Sequence, residues 1–219
     1  MGPETLRRVT AGALVLAPAL FLLDNILHPK EVARGNEAEQ LAEIADAYQR
    51  WQAAHALGFL SVIVFGVAVA GLAALLYRSA PRPALAGGAL AMAGLMGLAA
   101  AVTIDGYTWG VLGEVSARPD VDAATVERTL EDIQGSDWSL VYYLTPLGFI
   151  LGTIVLTVTA VRARLVPMWA GAVFALGVLM VGTETAIISN AYFVAGAAVL
   201  FAGGSSLAWS IVTRPPIST

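Results

Sequence analysis

"AHALGFLSVIVFGVAVAGLAALLY", residues 54–77, carries no formal charge and few polar atoms beyond His55 and Ser61. On a soluble helix the apolar residues would recur along one face; here they run all the way round. As a helix rising 1.5 Å per residue, the stretch spans the roughly 30 Å hydrocarbon core of a bilayer. Amides in lipid must bond within their own segment, so 54–77 is read as a transmembrane α-helix.

Five further blocks read the same way, at about 9–27, 84–108, 139–161, 166–188 and 191–212. The whole chain of 219 residues is 58% hydrophobic and 13% charged, too apolar for an ordinary soluble domain. The expected fold is all-α: a polytopic membrane bundle of six transmembrane helices forming one domain, 1–219. No linker or low-complexity tract divides it.

The charges sort by side. Arg7, Arg8, Arg78, Arg82, Arg162, Arg164 and Arg214 stand at one set of helix ends with a single acid, Glu4. The two long connections on the other side hold five basic residues against twelve acids, Glu31 through Asp137. The positive-inside rule then places both termini in the cytoplasm and both acidic connections outside. Arg7-Arg8 ahead of Ala17-Pro18-Ala19 also fits a secretory signal, but cleavage there would leave too short an apolar run, and the segment is kept as helix 1. Eleven arginines to one lysine, with heavy Ala, Gly and Val, suit a GC-rich bacterial genome and hence a bacterial inner membrane. No basic surface for nucleic acid is present.

Within the first long connection, Leu41, Ile44, Tyr48, Trp51 and His55 recur at helical spacing, predicting an amphipathic helix that runs into helix 2. In the second, Val126, Leu130 and Ile133 form a shorter stripe with Asp122 as N-cap and Gly135 as stop. Trp51/His55 and Trp138/Tyr142 then open helices 2 and 4 alike, as either a parallel repeat or two unrelated hairpins. Pro81 and Pro83 mark a turn, Pro167 the first turn of helix 5, and Ser189-Asn190 a tight outer hairpin.

Polar residues inside these blocks gather near one membrane face. Asp24 and His28 end helix 1 in "FLLDNILHP", residues 21–29; His55 and Tyr142 open helices 2 and 4; Asp105 and Glu184 sit near the outer ends of helices 3 and 5. A carboxylate in hydrocarbon costs about 2.5–3.5 kcal/mol on the insertion scale, so these acids are expected to face the bundle interior. The small-residue line Ala93, Gly97, Ala101 is expected to admit a neighbouring helix and carry Asp105 inward. His28, beside Pro29, reads as a helix end at the interface, with Asp24 a turn deeper.

Two function classes stay open. The first is a non-catalytic protein whose outward-facing pocket binds a lipophilic small molecule or a membrane protein partner, with His28, Trp51, Trp109, Trp138, Tyr142, Tyr143 and Asn190 as its walls. The second is an acid–base isomerase, cyclase or hydrolase acting on a lipid or isoprenoid, with Asp24, His55, Asp105 and Glu184 as its catalytic groups. No cofactor is called for. A metal, if any, would fall to Asp24, His28 and His55, and two histidines near one face could ligate haem. A transporter is disfavoured because polar groups confined to the outer third leave no route across. Absence of cysteine excludes thiol chemistry and iron–sulfur clusters, and no P-loop, Gly-x-Ser-x-Gly or His-Glu-x-x-His occurs.

"LLDNILHP" (22–29), "RWQAAHALGFL" (50–60) and "LVPMWAGAVFALG" (165–177) resemble segments of small bacterial multi-pass membrane proteins of uncharacterised activity. The resemblance implies a six-helix bundle and no activity. A vaguer likeness, without a shared motif, is to integral membrane terpene cyclases and sterol isomerases, from which no residue role carries over. Reporter fusions at Ser79 and Ala163 are expected to read cytoplasmic, and fusions near Asn36 and Asp120 external; a cytoplasmic signal at Asp120 would overturn this topology.

Overall fold

The fold comes from a computed structural model that describes residues 2–29, 36–134, 138–183 and 189–214, with side chains except at 123 and 134–145. Its described regular structure is entirely helical. Eight helices follow in order: α1 (Pro3–Leu27), α2 (Glu37–Asp46), α3 (Tyr48–Tyr77), α4 (Pro81–Ser116), α5 (Ala123–Gln134), α6 (Trp138–Arg162), α7 (Met168–Gly182) and α8 (Asn190–Thr213). Four of them, α1, α3, α4 and α8, are long and apolar enough to cross a membrane. The other two expected spans are apolar but shorter, Pro146–Arg162 within α6 and Met168–Gly182 in α7.

The six apolar helices close into a ring in chain order: α1 packs on α3, α3 on α4, α4 on α6, α6 on α7, α7 on α8, and α8 returns to α1. Across the ring, Phe65 of α3 meets Phe149 of α6 edge-on, ring centroids 5.5 Å apart. Every helix also turns large apolar side chains outward, among them Leu16, Ile63, Met96, Leu151, Leu176 and Trp209. An apolar exterior around an apolar core is what lipid-facing helices require.

Without a hydrophobic force between helices in lipid, close packing must hold the ring, and glycines permit it. A Cβ added at Gly94 of α4 would run into the backbone of Gly148 and Phe149 on α6. One at Gly177 of α7 would meet Leu200 of α8, and one at Gly204 of α8 the carbonyl of Leu14. The α4 seam differs from the expected Ala93–Gly97–Ala101 line. Ala93 is exposed, and Gly87, Ala91 and Gly94 face α6 instead.

The two ends of the ring are built differently. At the arginine end, the buried Arg7 guanidinium donates to the carbonyls of Ile211 and Arg214, taking up the free C-terminal acceptors of α8. Arg214 in turn donates to the carbonyl of Arg164 at 3.1 Å. α6 stops there in a Schellman motif: Leu165 N–H reaches Ala160 O at 2.9 Å and Arg164 N–H reaches Val161 O at 3.0 Å. Arg164 holds the left-handed position with φ 58°, a place usually given to glycine.

At the opposite end, α4 continues past the span expected to finish at 108. Its 36 residues reach about 54 Å at 1.5 Å per residue, well beyond hydrocarbon thickness. α2 and α5 pack against this projecting end. Leu41, Val126 and Leu130 form a second small core there with Trp109, Leu112 and Val115 around it. The stripe expected as one helix is broken at Ala47, where φ −111° and ψ 27° leave the helical region. Of the second stripe, Val126 and Leu130 are buried, whereas Ile133 is 42% exposed. Asp122 precedes α5 as expected, its carboxylate accepting from the Thr125 hydroxyl at 2.7 Å. That bond, with backbone amides and Arg128, holds its pKa below the usual carboxylate range. Gly135, expected to stop α5, lies outside the described residues.

Gly94→Ala is expected to destabilise the fold by about 1–3 kcal/mol, since a well-packed contact cannot absorb an added methyl. Gly12→Ala, with open space around its Cβ, should be neutral or stabilising. Unfolding of the detergent-solubilised protein checks both.

Candidate functional site

The site stands where α1, α3 and α4 meet below the α2/α5 end. His55 is brought there by the α3–α4 contact, in which glycines of α4 replace side chains with space. A Cβ at Gly106 would lie 2.7 Å from His55 Cβ, one at Gly110 would lie 3.3 Å from Trp51 Cδ1, and one at Gly113 would lie 2.9 Å from Ile44 Cγ2. Three glycines on one side of α4 thus form a channel for the Ile44–Trp51–His55 edge of α2 and α3. Trp51 is 3% exposed and donates its indole N–H to Gly106 O at 2.9 Å.

Three rings stack in this corner. Trp51 and His55 have centroids 4.2 Å apart, His28 and Trp51 4.8 Å, and His28 and His55 5.2 Å. His28 is therefore more than the helix end that its Pro29 neighbour suggested. It caps α1, its N–H reaching Asp24 O at 2.8 Å, and its ring also enters the aromatic cluster. Asn190, at the start of α8, donates to Pro29 O at 3.3 Å and ties that strand of chain to the ring closure. Asn25 back-bonds to Phe21 O at 2.8 Å and takes no part in the cluster's contacts.

His55 and Asp105 form the chemical centre. His55 Nδ1 lies 3.0 Å from Trp51 O, and a carbonyl accepts only, so Nδ1 carries a proton. Nε2 then faces Asp105 Oδ2 at 3.4 Å. A contact between that nitrogen and a carboxyl oxygen needs one more proton, either on the imidazole or on the acid. At 3.4 Å the contact is longer than the usual 2.7–3.2 Å of a good N–H···O bond. His55 is almost enclosed, with side-chain exposure of 10%, against 33% for Asp105.

Asp24 approaches from α1. A Cβ at Gly58 would lie 2.9 Å from Asp24 Oδ2 and 3.5 Å from Val102 Cγ1, so the absent side chain of Gly58 makes room for the carboxylate. A groove of about 270 Å³ opens beside His55, lined also by Gln52, Thr103 and Tyr107 and by the apolar Ala56, Phe59 and Val102.

Of the residues expected at the site, Asp24, His28, Trp51, His55 and Asp105 come together, and Asn190 reaches their edge. Trp109 belongs instead to the small core under α5, because one turn of α4 carries it past the groove. Glu184 lies outside the described residues, as do the side chains of Trp138, Tyr142 and Tyr143. Among the described residues no three His, Asp or Glu side chains are disposed to hold a metal ion. The three mutually touching rings also leave no gap for a macrocycle between His28 and His55. Gln52, Gly58, Gly106 and Tyr107 were not anticipated. The spacing of Gly106, Gly110 and Gly113, read against Trp51 and His55, is the sequence signal for Gly106.

No protein-family model, curated protein or solved structure matches this chain.

A double-mutant cycle between His55→Ala and Asp105→Ala is expected to show non-additivity of about 0.5–3 kcal/mol in unfolding, as for groups in direct contact. Strict additivity would mean that the two side chains do not interact.

Proposed function

We propose that this chain is a six-span protein of the bacterial inner membrane, termini in the cytoplasm, whose outer groove binds a lipophilic small molecule by its polar end. The observation that carries this is the groove beside His55 and Asp105. Gln52, His55, Thr103 and Tyr107 supply its polar atoms among the apolar Ala56, Phe59 and Val102, a mixture suited to a mostly apolar ligand oriented by a few polar contacts. The exposed apolar flanks at Phe59 and Tyr107 let such a ligand arrive from the bilayer. Docking of a membrane protein partner on the same face is the other form of this binding reading.

A second reading has one specific observation in its favour. Because Nδ1 of His55 is committed to Trp51 O, the proton between Nε2 and Asp105 is the movable one. Such a pair, with Asp24 nearby, can give and take a proton in the isomerisation, cyclisation or hydrolysis of a lipid or isoprenoid.

Lipid extracts of the purified protein, compared by mass spectrometry with extracts of the membranes it came from, should be enriched in one lipophilic species. Ala56→Phe, which fills the groove while leaving both His55 and Asp105 in the chain, should abolish that enrichment. Equal extracts from wild type and Ala56→Phe would sink the binding reading. Asp105→Asn separates the two classes: retained ligand with unchanged cellular lipids supports a binder, whereas accumulation of an unconverted lipid supports catalysis.

A further inference from the structure

At the arginine end, away from the groove already described, a second groove of about 240 Å³ lies between the α3–α4 turn and the end of α6. Ser79, Ala80 and Pro83 line it on one side, Thr159, Arg162 and Ala163 on the other. We propose that it binds the phosphate-bearing headgroup of an anionic phospholipid. The assignment rests on the chain being embedded in a membrane, and not on the contents of the outer groove.

Charge is the first argument. Arg162 lines the groove and Arg78 and Arg82 each adjoin a lining residue in the chain; all three are exposed, and none has a hydrogen bond or ion pair among the described residues. Glu4, the single acid at this end, is already paired with Arg8 at 2.9 Å. Guanidinium groups suit phosphate because their planar fork offers two parallel N–H donors.

The backbone supplies the second. The N-terminus of α4 opens at the groove, and its first turn presents the positive end of the helix dipole. The carbonyl ends that would oppose an anion are occupied. Leu76 O accepts from the amides of Ser79 and Ala80, at 3.1 and 2.9 Å, and from the Ser79 hydroxyl at 3.2 Å. On α6 the Schellman bonds take up Ala160 O and Val161 O. The helix ends at the groove therefore present few free carbonyls to an anion, and Arg162 supplies positive charge on the α6 side.

The third argument selects a lipid. Tyr77, Leu85 and Val158 flank this end as exposed apolar side chains, giving acyl chains a surface beside the headgroup. Basic pockets between membrane helices on the cytoplasmic side are the usual setting for anionic headgroups.

The test is native mass spectrometry of the full chain in detergent, offered phosphatidylglycerol and phosphatidylcholine in equal amounts. Wild type should retain phosphatidylglycerol several-fold over phosphatidylcholine. Arg162→Gln and Arg82→Gln should each lower that ratio by about fivefold, the effect of one cationic side chain near an anionic surface. Arg162→Lys should keep most of it, and Arg118→Gln, at the opposite end, all of it. Equal retention of the two lipids, or a ratio unchanged in both arginine-to-glutamine variants, overturns the proposal. So does displacement of the lipid by millimolar inorganic phosphate alone, which would mark a free-anion site. A thermal transition checks folding; should Arg162→Gln fail to fold, exposed Arg82→Gln decides.

Discussion

The contact between α3 and α4 is the one on which the site depends. Trp51 and His55 are bulky, polar-tipped rings, and a membrane helix can bury them only where its neighbour withdraws. α4 withdraws at Gly106, Gly110 and Gly113. The same glycine that makes room for His55 leaves its carbonyl to accept from Trp51, so space and hydrogen bonding are satisfied by one residue. With His55 fixed, Asp105 is necessarily adjacent, being the residue before Gly106. Asp24 follows from a second withdrawal, at Gly58 on α3.

Closure of the ring imposes a further constraint, because α1 and α8 are the farthest apart in sequence and must meet at every level. Arg7 binds the end of α8 at one extreme, Gly204 admits the Leu14 carbonyl in the middle, and Asn190 reaches Pro29 at the other. The chain thus places Asp24 and His28 against α3 by fastening α1 from its other side. A helix held by both neighbours presents its inward face reproducibly, which a proton-sharing pair with a third acid alongside requires.

Hydropathy made the long helices legible, and the polar corner too, since lipid penalises every charge that does not face inward. The ends of helix 1 and helix 2 were legible at Leu27 and Tyr77, where polar or basic residues follow. The end of α4 was not. Asp105 and Glu114 mark the limit of what lipid tolerates, but a helix does not stop there when α2 and α5 cover its continuation. Trp109 illustrates the difference between depth and facing. Its depth was near that of Asp105, yet rotation along α4 delivers it to the second core. His28 shows the reverse: Pro29 correctly announced a helix end, and nothing local in sequence revealed that the ring would stack on residues 51 and 55.

On the binding reading, the engagement of the pair narrows the chemistry of the ligand. His55 spends Nδ1 on Trp51 O, aims Nε2 at Asp105 and is 10% exposed, whereas Asp105 is 33% exposed and has a second carboxyl oxygen. Of the pair only His55 lines the groove, with its nitrogens already engaged by the protein, so hydrogen bonding to a ligand falls to Gln52, Thr103 and Tyr107. An amide and two hydroxyls each donate and accept, so they suit a neutral head such as a hydroxyl or a carbonyl. Such a head would satisfy these groups directly, without drawing on the His55–Asp105 contact.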